Sequence, residues 1–502
     1  MANRLAILRV RAAILAVPFF SLLAQNAYAG GFEVPDNGAQ SVGRGNAFTA
    51  KADDLTALAH NPGALIKSKG ANILYSHNFI HAPQSFTRQA TSMPYDKIPM
   101  DKFSGQTPDP LATVSNQTPW SVVNGMLIGS YDFGLENWVF AAGVYGPSAA
   151  GHQEWPVNGG QRWMLTKMDA LMLFYSFAAA YGVEDKFGIG VTAQIVHQPS
   201  TTLSLVVDGD NGAALAPYYK GAEIESTLKL SAPPSFSAIV GGWWRPVENI
   251  EVGVSGRVIP VNLNGAGDFT IADTPTGAQF TDAQLKVLGS SAALQLVLPA
   301  TAHVGIRYRG LDKRGMVDLS EGATPGAAPS KPVERWDIEL DFAYEAWSML
   351  KDFNVQLQGQ IQLFAKADAQ DVTVAKRWKD TYSLRLGGSY NLPNLPIGFM
   401  AGSFVETGAV PANYENLDFP SYNRLGVNGG VKVKAGPVDI TAAYSHVFQE
   451  TRTVDEASAK VFQQRPVAPC PTGCNGFDGV PSNAGVFTSS FDIISASAAI
   501  KF

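Results

Sequence analysis

The segment 488–502 alternates without a break and stops on an aromatic residue. Ile494, Ala496, Ala498, Ile500 and Phe502 share one face, and Ser495, Ser497, Ala499 and Lys501 share the other. A period of two with one apolar side is the pattern of a strand that meets two different media. In hydrocarbon every backbone N–H and C=O must find a partner within the protein. A sheet that spans a bilayer therefore closes on itself, with apolar side chains outward and a lumen free to be polar. This segment reads as a barrel strand.

The front of the chain agrees. Arg4, Arg9 and Arg11 precede an apolar run over 12–24, and Ala27-Tyr28-Ala29 forms a small-x-small cleavage site. The run contains Pro18 and falls short of the ~20 apolar residues of a spanning helix. Residues 1–29 are expected to be a cleaved signal peptide, with an uncleaved anchor as the alternative. An exported chain with a terminal strand ending on Phe502 reads as a multi-pass barrel of a bacterial cell outer membrane. Lipopolysaccharide and lipid would surround it, and Phe502 would be its handle for the barrel-assembly machinery.

Charged residues make up only 16% of the chain, glycine contributes 49 of 502 residues, and mean hydropathy is +0.00. Soluble domains average about 25% charged, and a helical membrane protein would be far more apolar. Alternating strands reconcile both numbers, because each lipid-facing residue is averaged with a lumen-facing one. The net charge of −6, with no Lys/Arg block after the signal, argues against a nucleic-acid partner. The only cysteines, Cys470 and Cys474, lie in Cys-Pro-Thr-Gly-Cys. After export they are expected to form a loop-tip disulfide; zinc is the alternative, although no histidine is near them in sequence. No cofactor is expected.

Alternation recurs from residue 71 onward. Trp336, Ile338, Leu340, Phe342 and Tyr344 oppose Arg335, Asp337, Glu339, Asp341 and Glu345. Trp378, Tyr382, Leu384, Leu386 and Tyr390 oppose Lys379, Thr381, Ser383, Arg385 and Ser389. Short connections at 134–137, 184–186, 247–249, 392–396 and 435–437 read as periplasmic turns. Long ones near 81–118, 147–165, 200–231, 263–292, 348–377, 409–422 and 451–487 read as surface loops, and 311–333 is long where a turn is expected. Counting between them gives an all-β antiparallel barrel of about 14 strands, even-numbered as a bacterial barrel requires. The segment 30–70 does not alternate. It is rich in Gly, Ala and Asp, with a short helical stretch expected around 50–59, and reads as a plug inside a barrel formed by 71–502. A periplasmic tail is the alternative.

The plug carries a resemblance. Gly31-Phe32, the Gly43-Arg44-Gly45 turn, Ala52-Asp53-Asp54 and Asn61-Pro62 followed by a small residue resemble the hatch of the FadL/TodX family. Members of that family are outer-membrane transporters of long-chain fatty acids and aromatic hydrocarbons. Tyr344-Glu345-Ala346-Trp347-Ser348, Trp378-Lys379-Asp380, and Asp418 with Arg424 are similar to its barrel. One departure is Gly63, where the family usually has alanine. The resemblance implies a monomer and passive transport: capture between outer loops, storage in an internal pocket near the mature N-terminus, and hatch movement that opens a sideways exit.

Residues suited to each stage are present. Leu285 and Leu288, with Phe280 and Val287 around a helix-like stretch, and Tyr218 with Leu215, Pro217 and Tyr219, could line the capture groove. Phe32 and Val34 are the hatch candidates for the inner pocket. A carboxylate head would meet a lumen cation such as Arg257, Arg307, Arg309, Arg385, Lys432 or Lys434, most of them expected to pair with Asp337, Glu339, Asp341 and Glu345. The resemblance implies a kink in the third strand, at Gly143 and Gly146-Pro147, facing Asn61, Pro62 and Gly63. Glycine weakens pairing there and proline removes a donor, although Gly146-Pro147 would also suit a plain loop start. A neutral aromatic hydrocarbon is the alternative substrate. A lipid hydrolase is the rival from another class, but the sequence has no Gly-x-Ser-x-Gly, and its 7 histidines are scattered. No enzyme is expected. A general porin would lack the plug, and a purely adhesive barrel would bind no ligand inside.

Overall fold

A closed wall is what the alternation demands, and a computed structural model shows it. The structure describes residues 31, 37–89, 111–147, 149, 151–209, 223–274, 285–312, 332–362, 366–393, 395–467 and 481–502. Among these, fourteen antiparallel strands form the barrel. They are β1 Asn72–His81, β2 Trp120–Tyr131, β3 Trp138–Tyr145, β4 Lys167–Val183, β5 Phe187–Asp208, β6 Glu223–Val247 and β7 Ile250–Ile259. The circuit continues with β8 Thr301–Asp312, β9 Val333–Glu345, β10 Thr381–Asn391, β11 Ile397–Glu406, β12 Arg424–Ala435, β13 Val438–Gln449 and β14 Gly485–Lys501. Each pairs with its neighbours in sequence, and β14 closes the ring on β1, with Asn72 opposite Lys501 and His81 opposite Asp492.

Strand β9 shows why the wall holds. Ile338, Leu340 and Phe342 are 47%, 43% and 47% exposed on the lipid side, whereas Asp337, Glu339 and Asp341 are at most 4% exposed on the lumen side. The acids can sit there because the hatch and the neighbouring strands supply donors.

Four expectations change. The expected loops 200–231 and 263–292 are largely strand. β5 and β6 run for 22 and 25 residues, against the ~9–11 that cross a membrane. Their outer ends pair with each other, and that of β6 pairs on its other side with a hairpin, Val261–Asp273 and Lys286–Leu298, backed by Asp352–Gln362. Alternation persists above the membrane because the inward side still has a core to fill, formed by Val207, Ile224, Leu230, Phe269 and Ile361. Leu288 is accordingly a strand residue, 39% exposed, and not part of a helix.

The expected helix at 50–59 shrinks to α2, Ala57–His60, joined by α1, Ala39–Gly43, and a 3-10 turn Pro62–Lys67. Ala52, at φ +23°, lies outside helical geometry, and Asp54 Oδ1 accepts the N–H of Thr56, so the helix starts only beyond them. The first strand begins at Asn72, one residue after the expected 71. Trp378 does not face lipid; it lies before β10, buried edge-on against Trp347 with ring centroids 5.1 Å apart. Positions 30, 32–36 and 313–331 lie outside the described residues.

Candidate functional site

The hatch is held by a belt of charge. Arg44, completely buried, bonds Asp337 at 2.5 Å and Glu339 at 3.0 Å. Asp341 accepts the N–H groups of Phe48 (2.9 Å) and Thr49 (2.8 Å), and Glu339 accepts those of Ala50 (2.6 Å) and Lys51 (3.2 Å). Four backbone donors that would otherwise lie unpaired in the lumen are thereby satisfied. Arg307 completes the belt with Glu251 and Asp337, each at 2.7 Å, and with Glu334.

Arg307, expected to be available to a head group, is engaged in the structure with these three carboxylates. Arg309 bonds Glu334 at 2.7 Å, Lys432 lies 3.1 Å from Asp439, and Arg385 stands 3.8 Å from Glu406. Among the acids expected as partners, Asp337 takes cations from both the wall and the hatch, while Asp341 takes hatch N–H groups.

Asn61, Pro62 and Gly63 form the other anchor. Asn61 Nδ2 donates to Thr49 O at 2.8 Å and Gly242 O at 3.0 Å, and its Oδ1 accepts from Gly63 N. A Cβ on Gly63 would lie 2.7 Å from Gly241 O and 2.8 Å from Gly188 O, and one on Gly190 only 2.4 Å from Pro62 O. Glycines of β5 and β6 thus form a floor without side chains, on which hatch backbone rests on wall backbone. The corner rests on Gly188, Gly190 and Gly241, while the turn Pro62–Lys67 and α2 also lie against the third strand. Just past the end of β3, Asn37 Nδ2 donates to Gly146 O at 2.8 Å.

At Gly146 the wall opens. β3 pairs with β4 along its whole length, from Trp138 to Tyr145, but with β2 only over Met126–Tyr131. Beyond Tyr145 the chain leaves the ladder and rejoins β4 at His152–Glu154, so the 120–125 half of β2 loses its partner on that side. Side chains span the gap, with Ser121 Oγ donating to Ala149 O at 3.4 Å. Turning the Asn124 amide brings its Nδ2 to 3.2 Å from Pro147 O and 3.3 Å from Ala149 O. Gly143 packs within the paired part; a Cβ there would meet Ile128 and Leu127 O.

Pro147 stands between two cavities. The outer one, about 80 Å³, is apolar and is lined by Met168, Met172, Leu203, Leu294, Phe353 and Phe419 as well as Pro147. The inner one, about 90 Å³, reaches the hatch at Asn37 and His60 and is lined by Tyr145, Phe174, Arg257 and Pro147. Arg257 lies 5.9 Å from the Phe174 ring centroid, and its Nε–H, buried, has no acceptor among the described residues. Apolar surface on one side and an underused cation on the other suit an amphiphile.

The outer loops are clasped above. Arg452 bonds Glu415 at 2.9 Å, with the Glu415 side chain completely buried. Burial pushes the Glu415 carboxyl up to about 8 against the pull of Arg452, and burial also holds the Tyr422 hydroxyl well above its ordinary value.

Sequence reasoning brought Gly146 and Pro147 to the break in the β2–β3 ladder and Arg257 to the lumen. It missed Asn37, the seat formed by Gly188, Gly190, Gly241 and Gly242, and the aromatic pair Phe353 and Phe419. The glycines clustered on adjacent strands were a usable signal, since Gly190 lies opposite Gly241, with Gly188 and Gly242 close by, and backbone can approach there. Leu285 packs partly buried in the outer core. Phe32, Val34, Tyr218, Cys470 and Cys474 lie outside the described residues.

A plugged antiparallel barrel with an apolar cavity beside a break in its wall defines a class: outer-membrane transporters of hydrophobic compounds. The chain matches, over residues 20–320, the family model described as outer membrane protein transport protein (OMPP1/FadL/TodX), and it belongs to that family. The family is one of transporters and channels rather than enzymes. No curated protein matches the chain. Among solved structures, a Pseudomonas aeruginosa FadL homologue is 17% identical with a TM-score of 0.71, over 94% of this chain and 100% of that one. The P. putida toluene transporter TodX is 15% identical with a TM-score of 0.64, over 93% and 99%. The Ralstonia pickettii toluene transporter TbuX is 14% identical with a TM-score of 0.59, over 93% and 98%.

Proposed function

We propose that this barrel takes up long-chain fatty acids passively, capturing them at its outer loops and releasing them sideways into the membrane beside β3. The observation that carries the reading is the position of Pro147. It lines both cavities and lies just past the point where β3 leaves the ladder, so a ligand at Pro147 is already next to a wall without backbone bonds. An acyl chain in the outer cavity gains about 0.8 kcal/mol per buried methylene, and Arg257 offers the head group a charge-assisted hydrogen bond.

Phe353 and Phe419 in the cavity wall favour a second substrate, a monoaromatic hydrocarbon. In the same proposal, residues 1–29 are a cleaved signal, 30–70 the hatch and 71–502 the barrel. Leu285, Leu288 and Tyr218 border the capture groove, Phe32 and Val34 reach the inner cavity, Arg385 remains within range of a head group, and Cys470 pairs with Cys474. The barrel works as a monomer among lipid and lipopolysaccharide, and the assembly machinery engages Phe502, which is 75% exposed.

The test is saturable binding of a fluorescent long-chain fatty acid to detergent-folded protein, with competition by oleate and toluene. Displacement by oleate is expected. Displacement by toluene alone would transfer the assignment to aromatic hydrocarbons, and no saturable binding would overturn it.

A further inference from the structure

We propose that Lys376 and Asp418 are positioning residues for a two-ring gate, Phe353 and Phe419, which controls passage between the outer loops and the apolar cavity. The inference rests on the cavity being the ligand site.

The two rings come from different outer loops. Phe353 lies in the strand Asp352–Gln362, between β9 and β10, and Phe419 lies between β11 and β12. They meet edge to face with centroids 6.0 Å apart, and both line the cavity. One ion pair orients both. The Lys376 side chain is 1% exposed; its Nζ is bonded to Asp418 Oδ2 and lies 4.7 Å from the Phe353 ring centroid. The other carboxylate oxygen of Asp418 accepts the N–H of Phe419 at 2.8 Å. The ion pair thus touches one ring directly, through Lys376, and holds the backbone of the residue that carries the other, through Asp418.

Behind the pair, Trp378 stands edge-on to Phe419 at 6.3 Å. Its buried Nε1–H has no acceptor among the described residues, so ring packing and not hydrogen bonding backs the gate. Rings held by packing turn about χ1 and χ2 without breaking a backbone bond. The ion pair is the element that resists turning, and a buried pair contributes orientation more dependably than stability.

A gate differs from a binding wall in its kinetics. It slows entry and exit by the same factor and leaves Kd alone, whereas a lining residue acts chiefly on exit. The test is stopped-flow binding and release of a fluorescent long-chain fatty acid on the full chain, folded in detergent. The variants are Lys376→Met combined with Asp418→Leu, Lys376→Arg, and Phe419→Ala. Removing both charges leaves neither unpaired, and heat-modifiable gel migration reports folding. The double variant, which leaves the cavity lining intact, is expected to raise both rates about tenfold with Kd within about twofold, while Lys376→Arg keeps wild-type rates. Phe419→Ala removes lining as well as a gate ring, so its release should rise more than its entry; if the double variant fails to fold, a faster entry rate in Phe419→Ala decides, because loss of lining alone acts on exit. Unchanged rates, or a change in release alone, overturn the gate while the fatty-acid reading stands. Absence of probe binding by wild type overturns that reading first.

Discussion

At the hatch seat, Arg44, Lys51 and Arg307 face Glu251, Asp337 and Glu339, and hatch backbone donors bond Glu339 and Oδ2 of Asp341. At the outer cavity, methionine, leucine and phenylalanine line the space, and the lining is mostly apolar. The two regions share one lumen and differ in how their energy depends on geometry. Charge-assisted hydrogen bonds are strong and directional, so the seat has one good arrangement. Apolar contact is weak per atom and non-directional, so the cavity lining favours no single arrangement of what it touches. Holding a plug and passing a solute call for these opposite chemistries.

The contrast breaks most visibly at Glu339. Glu339→Ala would leave Arg44 and two hatch N–H groups short of a partner, at a cost of about 3–5 kcal/mol, and the hatch should loosen. Planar-bilayer recording should then show steady current where wild type stays closed; a silent variant would mean that the belt is not what retains the hatch. Arg257→Met sharpens the other side. Oleate should bind more weakly by about 1.5–3 kcal/mol, as for a hydrogen bond to a charged group, while toluene affinity stays level in the same competition assay. Equal losses for both ligands would mean that Arg257 acts through packing.

Gly63→Ala probes the seat by shape alone. The added methyl would press on backbone at 2.7–2.9 Å, an overpacking cost of about 1–3 kcal/mol. Faster amide hydrogen exchange over residues 57–67 is the expected readout. The last test concerns the outer clasp and is read through pH. Glu415 in the folded loops titrates at about 8, above its ordinary 4.5. The fold therefore keeps a proton over a window in which the unfolded chain has lost it. The contribution is full below about pH 4.5, declines as pH rises toward 8 and is flat beyond. Protease sensitivity of the outer loops should rise from pH 5 to pH 8 in wild type, and Glu415→Gln should remove the slope.

Sequence periodicity carried the wall because a lipid-facing strand must alternate: the pattern of 336–344 maps directly onto the exposed and buried sides of β9. It carried less of the site, for physical reasons that differ by residue. Asp337, Glu339 and Asp341 were legible as lumen acids, but their partners lie nearly 300 positions away in the hatch, and no local spacing encodes such a contact. The run 50–59 looked helical by composition, yet Ala52 takes a positive φ that interrupts it, and composition carries no sign of that turn. Trp378 fitted the alternation of β10 and was drawn inside by Trp347, since an aromatic near a strand end can satisfy either medium. The outer extensions of β5 and β6 were hidden because alternation does not change where a strand leaves the bilayer for a second core.

The pairing of Asn72 with Lys501 has a consequence for the order of assembly. Nearly every residue of the chain separates the two edges that join last, so the ring cannot shut until the final strand is available, and closing so large a loop is slow. The hatch is made first, and its Arg44 and residues 48–51 bond a strand from the middle of the chain. An unfinished, curling sheet would thus already have a core to wrap around. In that role the plug is a former, shaping the cylinder before it becomes the cylinder's stopper.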